Sequence, residues 1–135
     1  MGAFLAGLEP TPELVLCSPA LRTRETLDSM LPALRPAPRV GYDDALYLAS
    51  AEELLDRLRH VANATRCVLV IGHNPGLHEL GARLAEEPGR FAEGFPTAAL
   101  ARFEIASDWA TLRWHHATLT LYRTPKDVSR DLDGD

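Results

Sequence analysis

Two residues of this sequence have the type and the setting to hold a phosphoryl group. His73 follows the apolar run Val68-Leu69-Val70-Ile71 and Gly72, and precedes Asn74-Pro75-Gly76-Leu77. A continuous run with β-branched residues reads as a parallel strand covered on both faces. Gly72 lets the backbone bend or approach another group closely. Asn74 is pushed out of the α region by the proline that follows it and is a good N-cap, and Pro75 suits the first helical position. His73 is thereby delivered to the carboxyl end of a strand, beside a helix N-terminus. Open α/β sheets hold ligands there, and helix amides favour anions. Taken alone, His73 reads equally well as a turn histidine with an ordinary hydrogen bond. Arg22 belongs to a second stretch of the same design. The strand Leu14–Cys17 is followed by Ser18-Pro19, a cap and a first helical residue, and then by a helix with Arg22 and Arg24 in or just past its first turn. A cation there opposes the helix dipole by about 0.3–1 kcal/mol, so each arginine calls for a partner. For Arg24 the partner is read as Glu25, Asp28 or a neighbouring loop. Arg22 lies on the same rim as His73. The two can converge on one anion, most simply a phosphoryl group that takes two donors from the guanidinium.

Other constellations carry less. Cys17 and Arg22 resemble the loop of cysteine phosphatases, but four residues separate them, one short of that loop's spacing, and the interval holds a proline and no glycine. His73, His78, His115 and His116 do not form a zinc-protease motif, which needs two histidines one turn apart on one helix face. His115 and His116, read in a strand, point to opposite faces. His60 sits near the exposed end of a helix. No metal site is expected. Ser18 lacks the G-x-S-x-G elbow of α/β-hydrolases and is read as a cap. Trp109 and Trp114 are read as core or hairpin residues.

The elements that position these residues follow in order. The segment Met1 to Leu8 looks like the last turns of a helix without a start signal. The helix after Ser18 runs to about Leu34 with Leu27, Leu31 and Leu34 on one face, and Pro32 distorts its end. Arg39 to Tyr42 is a short strand. Ser50-Ala51-Glu52-Glu53 is a capping box, and the helix behind it carries Leu54, Leu55, Leu58, Val61 and Ala62 on one stripe. The helix after His73 shows Leu77, Leu80, Gly81 and Leu84 at helical spacing. Glu86 to Phe95 is a polar loop. Ala98 to Ile105 and Thr111 to Tyr122 read as a hairpin joined through Ser107-Asp108. Strands alternating with helices, then a hairpin, make a three-layer α/β/α fold with a mostly parallel sheet and an antiparallel C-terminal edge. Residues 1–125 form one domain, and 126–135 a charged, disordered tail.

Composition narrows the function classes. The chain has 135 residues, 46% apolar and 24% charged, as in a single globular domain. A net charge of −5 speaks against nucleic-acid binding. No apolar run approaches a membrane span, and the first residues are not a signal peptide. Cys17 and Cys67 lie in apolar runs and read as buried reduced thiols of a cytoplasmic protein.

Four stretches together carry a resemblance to a known family. They are Leu16-Cys17-Ser18-Pro19-Ala20-Leu21-Arg22-Thr23-Arg24-Glu25-Thr26, then Ala49-Ser50-Ala51-Glu52-Glu53-Leu54-Leu55, then Val70-Ile71-Gly72-His73-Asn74-Pro75-Gly76-Leu77, then Phe95-Pro96-Thr97-Ala98-Ala99. In this order the sequence resembles the SixA-type branch of the histidine phosphatase superfamily, with its phosphoglycerate-mutase-like fold. The resemblance implies a phosphatase in which a histidine on the first strand, in an Arg-His-Gly motif, attacks phosphorus and becomes phosphohistidine, which water then hydrolyses. Arg22 and His73 match the arginine and second histidine of the phosphate pocket, and the backbone amide of Asn74 is an extra donor at the helix start. The substrate implied is a phosphohistidine in a phosphorylated protein, or a small phosphomonoester. Neither metal nor organic cofactor is implied.

The sequence departs from the family at one point. None of His60, His73, His78, His115 and His116 stands between an arginine and a glycine. The expectation is that the family's first strand, its nucleophile loop and most of its first helix, roughly 20–35 residues by ordinary element lengths, are absent. Met1 to Leu8 then falls where the tail of that helix would be. The nucleophile would lie upstream of Met1 in a longer natural protein. A truncated copy, or a sheet closed differently through a partner, would account for the departure as well. Since the family's first strand lies in the interior of the sheet, its loss would leave two unpaired edges open to self-association. The proton donor is unassigned, with Glu25, Asp43 and Asp44 as polar candidates. The alternative function is a non-catalytic phosphoryl-binding or interaction module of the same fold.

Overall fold

The computed structural model describes residues 2–7, 11–87, 89, 95 and 99–124. The elements are strand β1 (Gly2–Gly7), β2 (Leu14–Cys17), helix α1 (Leu21–Met30), β3 (Arg39–Tyr42), α2 (Ala51–Arg59), β4 (Cys67–Gly72), α3 (Gly76–Leu84), β5 (Ala99–Ile105) and β6 (Ala117–Arg123). Short 3₁₀ turns at Leu31–Ala33, Asp44–Leu46 and Trp109–Thr111 join them. Among the described residues the strands form one sheet in the order β3-β2-β4-β1-β5-β6. The fold is a three-layer α/β/α sandwich. Strands β3, β2 and β4 are mutually parallel, and β5 and β6 form the antiparallel edge.

The layers follow from the alternation of side chains along the two buried strands. Every residue of β4 is buried. Val68 and Val70, with Leu16 of β2, join the larger core, where α2 contributes Leu54, Leu55 and Leu58 and α3 contributes Leu77, Leu80 and Leu84. Leu69 and Ile71, with Val15 and Cys17 of β2, face the other layer and meet Leu27 of α1. The stripes read on α2 and α3 are therefore the faces that cover the sheet, except that Ala62 is exposed beyond the end of α2. The capping box is present in full. Ser50 Oγ accepts from Glu53 N at 3.1 Å, and Glu53 Oε1 accepts from Ser50 N at 3.0 Å.

Three expectations are corrected. The first concerns the N-terminal segment, expected as the tail of a helix. It is strand β1, antiparallel to β4 and parallel to β5. Six residues with glycine at both ends cannot sustain an isolated helix, whereas the gap between β4 and β5 offers backbone partners on both sides. The interior position expected to be empty is therefore filled, and the two edges expected to invite self-association are paired. The second concerns the hairpin. Thr111 to His116 is not strand; a 3₁₀ turn and loop precede β6, so the connection is longer and His115 and His116 lie in it. Trp109 anchors this connection, because its buried Nε1 donates to Thr65 O at 2.7 Å in the loop between α2 and β4. The third concerns α1, which ends at Met30; Pro32 turns the chain into a 3₁₀ turn. The expected tail from Lys126 and most of the Glu86 to Phe95 loop lie outside the described residues.

Registers across the sheet align one row: Arg123 with Leu100, Leu100 with Ala3, Ala3 with Ile71, Ile71 with Cys17, and Cys17 with Tyr42. Ser18 and His73 leave the sheet next to this row, from neighbouring parallel strands.

Candidate functional site

The site forms where β2 and β4 end. Ser18 N donates to Ile71 O at 3.0 Å and continues the ladder by one residue. Ser18 is completely buried, and its Oγ lies 2.8 Å from Nε2 of half-buried His73. The cap expected at Ser18 is thus largely given up. Helix α1 begins at Leu21 with no side-chain cap bond, and only the Ala20 amide reaches Ser18 Oγ, at 3.4 Å. The turn is closed instead by Thr23, whose Oγ1 donates to Ser18 O at 2.7 Å and Ala20 O at 2.8 Å. Ser18 is the residue of the site that sequence reasoning misses. The available signal is that Ser18 and His73 each follow a buried strand at a helix start, which makes them neighbours if the strands are parallel.

Burial lowers the pKa of His73 below the ordinary histidine value, so the neutral ring is favoured. Ser18 Oγ donates to Nε2 or accepts from it according to which ring nitrogen carries the proton. The ring of Tyr47 meets that of His73 edge to face, with centroids 5.3 Å apart and planes at 80°.

Asn74 holds the following turn. Its Oδ1 accepts from His78 N at 3.1 Å, and its Nδ2 donates to Phe95 O. The expected cap is shifted by one residue: Pro75, not Asn74, occupies the cap position without a side-chain cap bond, and α3 starts at Gly76. Gly76 is the glycine that the geometry requires. A Cβ there would meet Ala49 O at 2.1 Å, so α3 starts in direct contact with the loop before α2. The close approach expected at Gly72 is absent, since a Cβ there would make only ordinary contact with Leu77 at 3.7 Å.

Arg22 lies in the first turn of α1, four residues after Ser18, and is exposed. Among the described residues no ion pair engages it. Arg24 is held by an aromatic partner, its guanidinium 5.4 Å from the ring centroid of Tyr42 on β3. Cys17 is fully buried, and burial pushes its thiol up to about 11. A thiol with that pKa is protonated at neutral pH and cannot serve as a thiolate nucleophile. Asp43 is engaged with Arg57 Nε at 3.1 Å and with the Ala45 amide. Glu25 and Asp44 are exposed. Among the described residues, no cluster of three or more histidine, cysteine or carboxylate side chains could hold a metal, and no helix is long and apolar enough to cross a membrane.

No protein-family model matches the chain. An uncharacterized protein of Mycobacterium tuberculosis is 30% identical over 132 residues, covering 93% of this chain and 81% of the relative. One from Mycobacterium leprae is 28% identical over 131 residues, covering 93% and 79%. Among solved structures, a chain from Nakamurella multipartitia assigned to phosphohistidine phosphatase SixA superposes with a TM-score of 0.73 at 30% identity, covering 86% of this chain and 72% of that one. A SixA structure from Agrobacterium tumefaciens shares the fold with a TM-score of 0.69 at 20% identity, covering 92% and 97%. A SixA protein histidine phosphatase solved with tungstate shares it with a TM-score of 0.67 at 19% identity, covering 94% and 98%. At 30% identity over most of both chains, the superposition on the Nakamurella multipartitia structure places this chain in the SixA-type branch of the histidine phosphatase superfamily.

Proposed function

We propose that this chain carries the phosphate-holding part of a phosphatase that hydrolyses a phosphohistidine or another phosphomonoester through a phosphohistidine enzyme intermediate. The observation that carries the reading is the Ser18–His73 pair at the carboxyl end of β2 and β4, with Arg22 in the adjoining first turn of α1. In this reading Arg22 gives two guanidinium donors to phosphoryl oxygens, His73 gives a ring N–H, and Asn74 gives its backbone amide at the start of α3. These donors stabilise the equatorial oxygens as charge spreads over them in the transition state. In this reading the attacking imidazole is none of the five histidines, because none of them stands in an Arg-His-Gly motif. In a form that has it, its nitrogen bonds to phosphorus while the bond to the carrier breaks. The carrier leaves with that electron pair and takes a proton, and water then cleaves the N–P bond. With Asp43 engaged by Arg57, Glu25 and Asp44 remain as proton-donor candidates.

The second reading is a non-catalytic phosphoryl-binding or interaction module. It is favoured by β1, which fills the interior of the sheet, runs against β4 and contains no histidine. A turnover assay with an aryl phosphate and a phosphohistidine peptide tests both readings. The 135-residue chain should show no turnover. A form extended by an in-frame Arg-His-Gly strand should turn over and lose activity on Arg22→Ala. Hydrolysis by the 135-residue chain that survives both Arg22→Ala and His73→Ala would refute the site. A reading frame with no upstream Arg-His-Gly would favour the module.

A further inference from the structure

The loop over His73 displays two apolar side chains that its own fold does not bury. Tyr47 touches the ring of His73, yet it is 56% exposed, so much of its ring surface is open. Leu48 is 66% exposed and has a φ of 56°, in the left-handed region that leucine disfavours. Burial of its side chain does not offset that strain, and strain of this kind gathers at ligand sites. The loop is also firmly held. Asp43 is paired with Arg57, Leu46 is buried, and Ala49 O packs directly on Gly76. Leu21, the residue before Arg22, is 73% exposed on the same rim. A held loop therefore presents an aromatic ring beside the polar pair.

We propose that Tyr47 selects the group that carries the phosphoryl moiety, favouring a single planar aromatic or heteroaromatic ring over an aliphatic chain. The inference rests on the reading that Arg22 and His73 hold the phosphoryl group. With centroids 5.3 Å apart, the Tyr47 ring stands one ring-width from His73, so the first atoms of a carrier bonded to a phosphoryl group at His73 lie beside it. A planar ring there gains offset or edge-to-face contact with Tyr47. A short alkyl carrier leaves most of that surface wet. The contact is non-covalent and specific to the carrier, so it acts on discrimination and leaves the phosphoryl contacts to Arg22 and His73.

The test uses the full chain and three stable ligands, orthophosphate, methylphosphonate and phenylphosphonate, titrated with the amides of Tyr47 and Leu48 and the His73 ring followed by NMR. Phenylphosphonate should bind about three- to tenfold more tightly than methylphosphonate, the range that an aromatic contact supplies. Tyr47→Phe should keep that ratio and Tyr47→Leu should remove it. The ratio is the readout, so any general effect of the substitution on His73 cancels. Equal binding of the two phosphonates, or a preference that survives Tyr47→Leu, overturns the inference while orthophosphate binding leaves the phosphate-site reading standing. Failure of all three ligands to bind overturns that reading, and the inference with it.

Discussion

Ser18 Oγ and His73 Nε2 are 2.8 Å apart although 55 residues separate them in sequence. The pair exists because β2 and β4 are parallel neighbours in register, with Cys17 opposite Ile71, so that each strand hands the next residues to the same rim. A hydroxyl with no solvent exposure is thereby committed to one ring nitrogen, Nε2, and biases the tautomer of the ring.

Ser18→Ala should therefore cost about 1–3 kcal/mol of stability, the cost of leaving a buried polar partner unsatisfied. It should also release the tautomer of His73. Urea unfolding reads the first effect. Ring ¹⁵N shifts read the second, with one dominant tautomer in the parent chain and a mixture in the variant.

The two glycines at the site should respond to very different extents. Gly76→Ala places a Cβ 2.1 Å from a backbone oxygen that cannot rotate away, and should cost about 2–4 kcal/mol. Gly72→Ala places it 3.7 Å from Leu77 and should change stability by less than about 1 kcal/mol. Equilibrium denaturation of both variants checks the contrast. Equal effects would show that Ala49 does not pack on α3 as described.

Stability should fall on acidification, with a component from His73. Burial lowers its folded pKa below the ordinary 6.5, so the unfolded chain binds the proton more tightly. The stability is fully present above the unfolded value and is lost as pH falls through 6.5 toward the folded value. His73→Gln should flatten that part of the profile. A stability curve between pH of about 5 and about 8, measured with and without the substitution, decides it.

Cys17 should be inert in the folded protein. With its thiol pushed up to about 11 and no exposure, alkylation in native buffer should be far slower than in denaturant. Rapid native labelling would contradict the packing of β2 against α1.

Much of this is legible in the residues alone. The buried run of β4 and the capping box of α2 are local signals, and both appear in the structure. His73 and Arg22 stand out because strand-turn-helix units have predictable ends. The rest depends on partners distant in sequence. Ser18 is a good cap by type, but a histidine from another strand competes for its hydroxyl. The segment of β1 has helix formers, yet its conformation is set by the open positions on β4 and β5. The connection before β6 is shaped by Trp109 reaching Thr65, a contact no local pattern announces. Tyr47 likewise gives no sequence signal, because a tyrosine in a loop acquires meaning only from the ring it touches.

The central claim is that Arg22 and His73 converge on one phosphoryl group. Titration of the full chain with orthophosphate tests it most directly, using isothermal calorimetry on the parent chain, Arg22→Ala and His73→Gln. The account predicts one saturable site in the parent chain and at least about tenfold weaker binding in each variant, because each removes donors to the same oxyanion. No binding by the parent chain, or unchanged affinity in both variants, would contradict it.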